Sequence, residues 1–145
     1  MTTTTLDRTA PATTRIGVTR AFTVVGAAIT AVAIWGISVP LLGAHLLVRF
    51  GSGAAQSVGI DYVIGATVIA SLAAWGVLTL LERRTPRAHT IWTALAVVVL
   101  IASLSLPLTA ATTTSTRVVL VVMHVAVAAV LIVGLRRGGA SQQHR

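Results

Sequence analysis

The chain contains no cysteine and no lysine among its 145 residues. Without cysteine, disulfides, thiolate catalysis, cysteine metal ligands and cysteine lipidation are all excluded. Charged residues make up only 10% of the chain, whereas ordinary soluble domains carry about 25%. Hydrophobic residues make up 55%, and the mean hydropathy is +0.91. A soluble fold of this size could not cover such a surface with polar groups, so the composition predicts a protein that lies in a lipid bilayer.

The few charged residues are strongly unbalanced in sign. Eleven arginines oppose Asp7, Asp61 and Glu82, which gives a net charge of +8. The arginines stand in short clusters at the ends of apolar runs, which is the pattern of the positive-inside rule. Anionic lipid headgroups are sufficient partners for them. Nucleic acid is therefore not an expected partner.

Four long apolar runs predict four membrane spans, at about 21–47, 62–81, 91–108 and 118–135. The predicted fold is all-α, a four-helix transmembrane bundle with up-down topology. The predicted domains are a disordered Thr- and Arg-containing tail (1–20), the transmembrane domain (21–137) and a short tail (138–145). The first run would measure about 40 Å as a straight helix, longer than a hydrocarbon core of about 30 Å. Pro40 cannot donate to the carbonyl of Gly36, so we expect a bend there.

The distribution of arginines predicts the orientation of the bundle. Nine arginines lie in the two tails and the central turn, and only Arg49 and Arg117 lie in the other two loops. Both termini of this multi-pass protein are therefore expected to be cytoplasmic. The arginines assigned to topology and lipid headgroups are Arg83, Arg84, Arg87, Arg136 and Arg137.

Several residues are assigned roles in helix ends and helix packing. Ala66, Ala70 and Ala74 form a small-residue stripe that would let a neighbouring backbone approach closely in lipid. Asp61, and His89 with Thr90, are expected to cap the helices that follow them. Trp92 is expected at the membrane interface. The face of the third span predicted to look into the bundle comprises Thr93, Ala96, Leu100, Ser103 and Pro107.

A candidate polar pocket is predicted at the outer side of the bundle from His45, Asp61, Ser103 and His124. Polar groups in a membrane need a partner or water. Two imidazoles and a carboxylate are suited to a divalent metal or a proton relay, and two histidines to haem. The structural alternatives are a water-facing His45, a helix-capping Asp61 and an interhelical hydrogen bond from His124. No metal-binding spacing such as HxxxH is present, and no cofactor is predicted.

The chain contains no glycine-rich nucleotide loop, GxSxG, HExxH or paired catalytic carboxylates. An enzyme is therefore not favoured. Three classes of function stay open. The first is a structural or accessory protein, self-associating as a homo-oligomer. The second is a small transporter or channel for ions or small molecules, and the third is a metal- or haem-binding protein using His45 and His124.

Four segments together resemble a family of small actinobacterial membrane proteins with no assigned function. They are Leu81-Glu82-Arg83-Arg84-Thr85, Ile91-Trp92-Thr93-Ala94-Leu95, Ser103-Leu104-Ser105-Leu106-Pro107-Leu108 with the Thr-rich turn after it, and Met123-His124-Val125. The resemblance covers roughly Arg20 to Arg137. It implies a bacterial plasma-membrane protein with four helices, and it brings no activity and no site.

Overall fold

A computed structural model describes residues 12–41 and 43–140 of the chain. It contains α1 (Ala12–Gly36), a π-helical turn (Ile37–Leu41), β1 (Leu47–Val48), β2 (Gln56–Ser57), α2 (Ile60–Arg84), α3 (Ala88–Ser103), α4 (Ser105–Ala110) and α5 (Thr114–Ala140). Four helical segments are long and apolar enough to cross a membrane: Gly17–Leu41, Ile60–Arg84, Ala88–Ala110 and Thr114–Arg137. The predicted all-α class with four spans is confirmed.

The helices extend beyond the predicted spans at both termini. The tail predicted to be disordered over 1–20 is helical from Ala12, and residues 1–11 lie outside the described part. The predicted C-terminal tail is likewise helical up to Ala140, with residues 141–145 outside the described part. Once a helix has formed, each added residue costs little because nucleation is already complete. The apolar window alone therefore underestimates helix length.

Two prolines determine where regular α-helix stops inside the first and third spans. Pro40 and Pro107 lack an N–H, so the carbonyl four residues before each has no α-helical donor. Those carbonyls belong to Gly36 and Ser103, and these are the last residues of α1 and α3. The chain continues as the π-helical turn in the first case and as α4 in the second. The α-helix is therefore interrupted at the place where the sequence predicts a bend.

The first span ends at Leu41, so the prediction that it reaches residue 47 was wrong. The apolar residues Leu46, Leu47 and Val48 belong instead to a small β-hairpin, in which β1 pairs antiparallel with β2. Arg49 N donates to the carbonyl of Ala110 (2.8 Å), and Thr112 N donates to that of Leu47 (3.2 Å). This hairpin covers one end of the bundle, which we call the hairpin end.

Two clusters of buried side chains join the helices. Near the hairpin end, Ala31, Val63 and Met123 pack together. Near the opposite end, Leu78, Trp92 and Leu135 form the second cluster. The latter end carries the described arginines Arg20, Arg83, Arg84, Arg87, Arg136 and Arg137, and we call it the basic end.

Glycine allows α1 and α5 to approach closely. Gly134 of α5 packs against the side chain of Thr23 of α1, and a Cβ at position 134 would overlap that threonine. In lipid, such close contact supplies the van der Waals attraction that holds helices together.

The prediction for the third span is confirmed: Thr93, Ala96, Leu100 and Ser103 are half-buried and Pro107 is buried, whereas Leu95, Val98 and Ile101 are exposed. Trp92 departs from its predicted interfacial place. Its side chain is only 2% exposed, and Nε1 donates to the carbonyl of Ala74 at 3.0 Å. A buried indole needs an acceptor for its N–H, and the backbone of α2 supplies it.

Candidate functional site: a charged cluster at the basic end

The four residues of the predicted polar pocket do not bond to one another. Ser103 Oγ donates to the carbonyl of Leu100 (2.8 Å), and His124 Nδ1 lies 2.7 Å from the carbonyl oxygen of Leu120. His45 and Asp61 have exposed side chains. Among the described residues, no hydrogen bond or ion pair joins two of these four side chains, and no group of three or more His, Cys, Asp or Glu is placed to hold a metal ion.

The exposure of His45 agrees with the structural alternative of a water-facing side chain, whereas Asp61 does not cap its helix. His45 borders a small depression of about 200 Å³ beneath the hairpin, together with Trp35, Leu46 and Val58. Its backbone carbonyl accepts a hydrogen bond from the fully buried Thr116 hydroxyl (3.0 Å). Asp61 lies in the first turn of α2, but the N-cap is Gly59 and no side chain caps this helix. Asp61 therefore contributes through the helix dipole alone.

The densest polar arrangement lies at the opposite, basic end. Arg20 of α1 is 4% exposed, and its Nη2 lies 2.5 Å from Oε1 of Glu82 at the end of α2. Its Nη1 donates to the Thr79 hydroxyl (3.1 Å), one turn earlier on α2. His89, in the first turn of α3, places Nε2 3.5 Å from the same Glu82 oxygen. We call Arg20, Thr79, Glu82 and His89 the charged cluster.

The charged cluster connects three spans through one carboxylate. A buried arginine is tolerated in a low-dielectric environment only when its charge is paired. Glu82 pairs with it while keeping 29% of its own side chain exposed. Arg20 Nε and His89 Nδ1 are both buried and have no partner among the described residues. Each of these two nitrogen atoms is therefore available for one more hydrogen bond. The ion pairs alone already give the cluster a structural role, because they hold α1, α2 and α3 together; we call this role the clamp.

Sequence reasoning missed this cluster. The predicted boundaries place Arg20 in the tail expected to be disordered and Glu82 in the turn between the second and third spans. His89 was assigned a cap, but the N-cap of α3 is Arg87 with no side-chain cap bond. One signal was available: Glu82 is the single carboxylate between Arg20 and Arg145 other than Asp61. The predicted topology put Arg20 and Glu82 at the same end, so their pairing could have been proposed.

The remaining arginines of the basic end are not neutralised in this way. Among the described residues, no ion pair is formed by the five exposed guanidinium groups of Arg83, Arg84, Arg87, Arg136 and Arg137. Glu82, the one carboxylate at this end within the described residues, is engaged by Arg20. An excess of positive charge therefore faces the surroundings at the basic end.

The small-residue stripe on α2 is divided between two environments. Ala66 and Ala70 are exposed, whereas Ala74 is half-buried against the Leu78–Trp92–Leu135 cluster. Ala73, also exposed, continues the outward stripe. Beside it, Gly76 opens onto a groove of about 390 Å³ lined by Leu72, Trp75, Gly76, Thr79, Leu80 and Arg83.

These features define a multi-pass membrane protein with four apolar helical spans and one small β-hairpin. Residues 11–141 match the model of a family of unknown function, DUF6069. The chain belongs to this family. No curated protein and no solved structure matches it.

Proposed function

We propose that the protein is a self-associating membrane protein with a structural or accessory role, and that copies pack through the outward face of α2. The observation that carries this proposal is the exposure of small residues at lipid-facing positions of a span. Lipid contact does not require small side chains, whereas close approach of two helices does.

The small share of each span that is buried supports this interpretation. In the most apolar window of each span, buried residues make up 17%, 22%, 11% and 22% from first to fourth. Most of the apolar surface is therefore directed outward, where lipid or another copy of the chain can cover it. Four spans of this kind enclose little space of their own.

The geometry of α2 supports a defined contact face. At about 100° per residue, Ala66, Ala70 and Ala73 lie within roughly 60° of one another around the helix axis. Val77 falls on the same strip and is 38% exposed, so the strip extends toward the basic end. A helix from a second copy can lie along this strip with its backbone close to that of α2.

A bulky substitution tests the proposal. Ala70→Leu would place a branched side chain in the contact, and overpacking costs about 1–3 kcal/mol. We expect dimer dissociation in liposomes, followed by energy transfer between labelled copies at decreasing protein-to-lipid ratio, to increase roughly 5- to 150-fold. The matched control is Ala94→Leu, an exposed alanine of α3 outside the strip. Equal association of both variants and the wild type would refute packing through α2.

We also propose that the protein lies in a bacterial plasma membrane with the basic end in the cytoplasm. The support is the excess of positive charge at that end, which bacterial insertion retains on the cytoplasmic side. Because the chain has no cysteine, single cysteines at Ser52 in the hairpin and at Thr85 in the central turn can be labelled separately in whole cells. An impermeant maleimide should label the first and not the second, and the reverse result would invert the orientation.

A further inference from the structure

The groove on α2 is present because Gly76 has no side chain. Apart from its two chain neighbours and the nearby backbone of its own helix, no heavy atom lies within 4 Å of the position where a Cβ of Gly76 would be. Leu72 and Leu80, four residues before and after it, stand on either side, and Trp75 forms one wall. Its lining residues Leu72, Gly76 and Leu80 are exposed, and the whole groove lies within the candidate span Ile60–Arg84. From residue 72 to residue 83 a helix rises about 16 Å, a length that suits a flexible hydrocarbon chain.

The one charged group in the lining of the groove is the guanidinium of Arg83. Two other side chains of the lining are polar: Trp75 carries a single indole N–H, and Thr79 is already engaged, since its hydroxyl accepts from Arg20 Nη1 (3.1 Å) and donates to the carbonyl of Trp75 (2.9 Å). Arg83 is exposed, and it forms no ion pair or hydrogen bond among the residues that the structure describes. It stands one residue before the end of α2, where the helix leaves the apolar layer.

From this juxtaposition, we infer that the groove is a binding site for one anionic phospholipid. The Arg83 guanidinium holds the phosphate, and one acyl chain lies over Gly76 between Leu72 and Leu80. Arginine matches a phosphate with two parallel hydrogen bonds, and a headgroup with additional negative charge lowers the uncompensated positive potential of the basic end. This inference does not depend on self-association, because the groove lies about a quarter turn around α2 from the alanine strip.

Native mass spectrometry of the full-length protein in mild detergent tests the site. The probe is phosphatidylglycerol, with phosphatidylcholine of the same chain length as the uncharged comparison. We expect Arg83→Gln to weaken the first phosphatidylglycerol binding step more than about tenfold, the effect of losing a hydrogen-bonded contact between two charged groups. The matched control, Arg84→Gln, removes the same charge one residue away outside the groove lining, and it should weaken that step by about fivefold or less, the effect of one basic group near an anionic lipid.

The acyl-chain half of the site is tested separately. Gly76→Leu fills the groove and should remove the first binding step for both lipids. The control is Gly65→Leu on the same helix, another glycine with no atom within 4 Å of a Cβ. Should Gly76→Leu not fold, the two arginine variants still decide the matter.

Two results would overturn the inference. Equal weakening by Arg83→Gln and Arg84→Gln would mean diffuse attraction of lipid by the basic end rather than a site. A Gly76→Leu variant that binds phosphatidylglycerol normally but shifts from dimer to monomer would assign the groove to a second copy of the chain.

Discussion

The charged cluster yields the most quantitative prediction, the effect of removing Glu82. The Arg20 side chain is only 5% exposed, so Glu82→Ala leaves a buried positive charge without its counter-ion. Removing one partner of a buried ion pair costs about 3–5 kcal/mol. Because Glu82 itself keeps 29% of its side chain exposed, water already weakens the pair, and we expect the lower end, about 3 kcal/mol.

The free energy of unfolding can be measured by titrating mixed micelles with sodium dodecyl sulfate and following helix content. The free energy of unfolding of Glu82→Gln should lie between those of the wild type and Glu82→Ala. The reason is that the amide oxygen still accepts a hydrogen bond from Arg20 but carries no charge. Asp61→Ala is the matched control: it removes an exposed carboxylate from the other end of the same helix. It should cost at most about 0.5–1 kcal/mol through the helix dipole.

A double-mutant cycle separates charge pairing from loss of packing. Arg20→Met removes the buried charge and keeps an unbranched apolar side chain. The double variant Arg20→Met with Glu82→Ala should therefore have a free energy of unfolding about 2 kcal/mol higher than that of Glu82→Ala alone. Simple additivity of the two single substitutions, or a Glu82→Ala variant within about 0.5 kcal/mol of wild type, would refute the clamp.

Three further predictions concern individual contacts. Gly134→Ala should destabilise the protein by about 1–3 kcal/mol through overlap with Thr23, whereas Gly26→Ala, whose Cβ would meet Val130 at an ordinary 3.8 Å, should be nearly neutral in the same unfolding assay. Thr116→Val removes the hydrogen bond from the hydroxyl to the His45 carbonyl and should lower the free energy of unfolding by about 1–2 kcal/mol. Amide hydrogen exchange in residues 43–59 should become faster, and unchanged exchange there would contradict the prediction. His124→Ala should lower the free energy of unfolding by about 1 kcal/mol or less, since among the described residues the imidazole bonds only to its own helix. Metal analysis of the wild type and the variant gives a second test: metal bound to the wild type and absent from the variant would contradict this account.

Much of the fold was predictable because membrane spans impose simple requirements. A helix that crosses lipid must be long and apolar, and a proline removes one backbone donor at a known offset. The number of spans, the interruption of the α-helix before Pro40 and the inward face of the third span could therefore be predicted. The end of the first span could not, because Leu46–Val48 is an apolar run whether it continues a helix or forms a strand.

The candidate site was less predictable because it depends on how helices rotate against one another. Whether Arg20 faces Glu82 is decided by packing such as Thr23 against Gly134, which no single-helix pattern contains. The interhelical hydrogen bond expected of His124 is replaced by a contact with the carbonyl of Leu120 in its own helix, and Ser103 of the candidate pocket likewise bonds to a carbonyl of its own helix. In a helix interior a short polar side chain can always bond locally, so its presence alone does not predict a shared pocket.

The most direct test of the central proposal, self-association through α2, uses the absence of native cysteine. Single cysteines at Ala70 and Ala74 lie one helical turn apart, the first exposed and the second directed into the chain's own core. Oxidation in native membranes should give a disulfide-linked dimer for Ala70→Cys and almost none for Ala74→Cys. Equal crosslinking of both variants, or none at Ala70→Cys, would contradict the account.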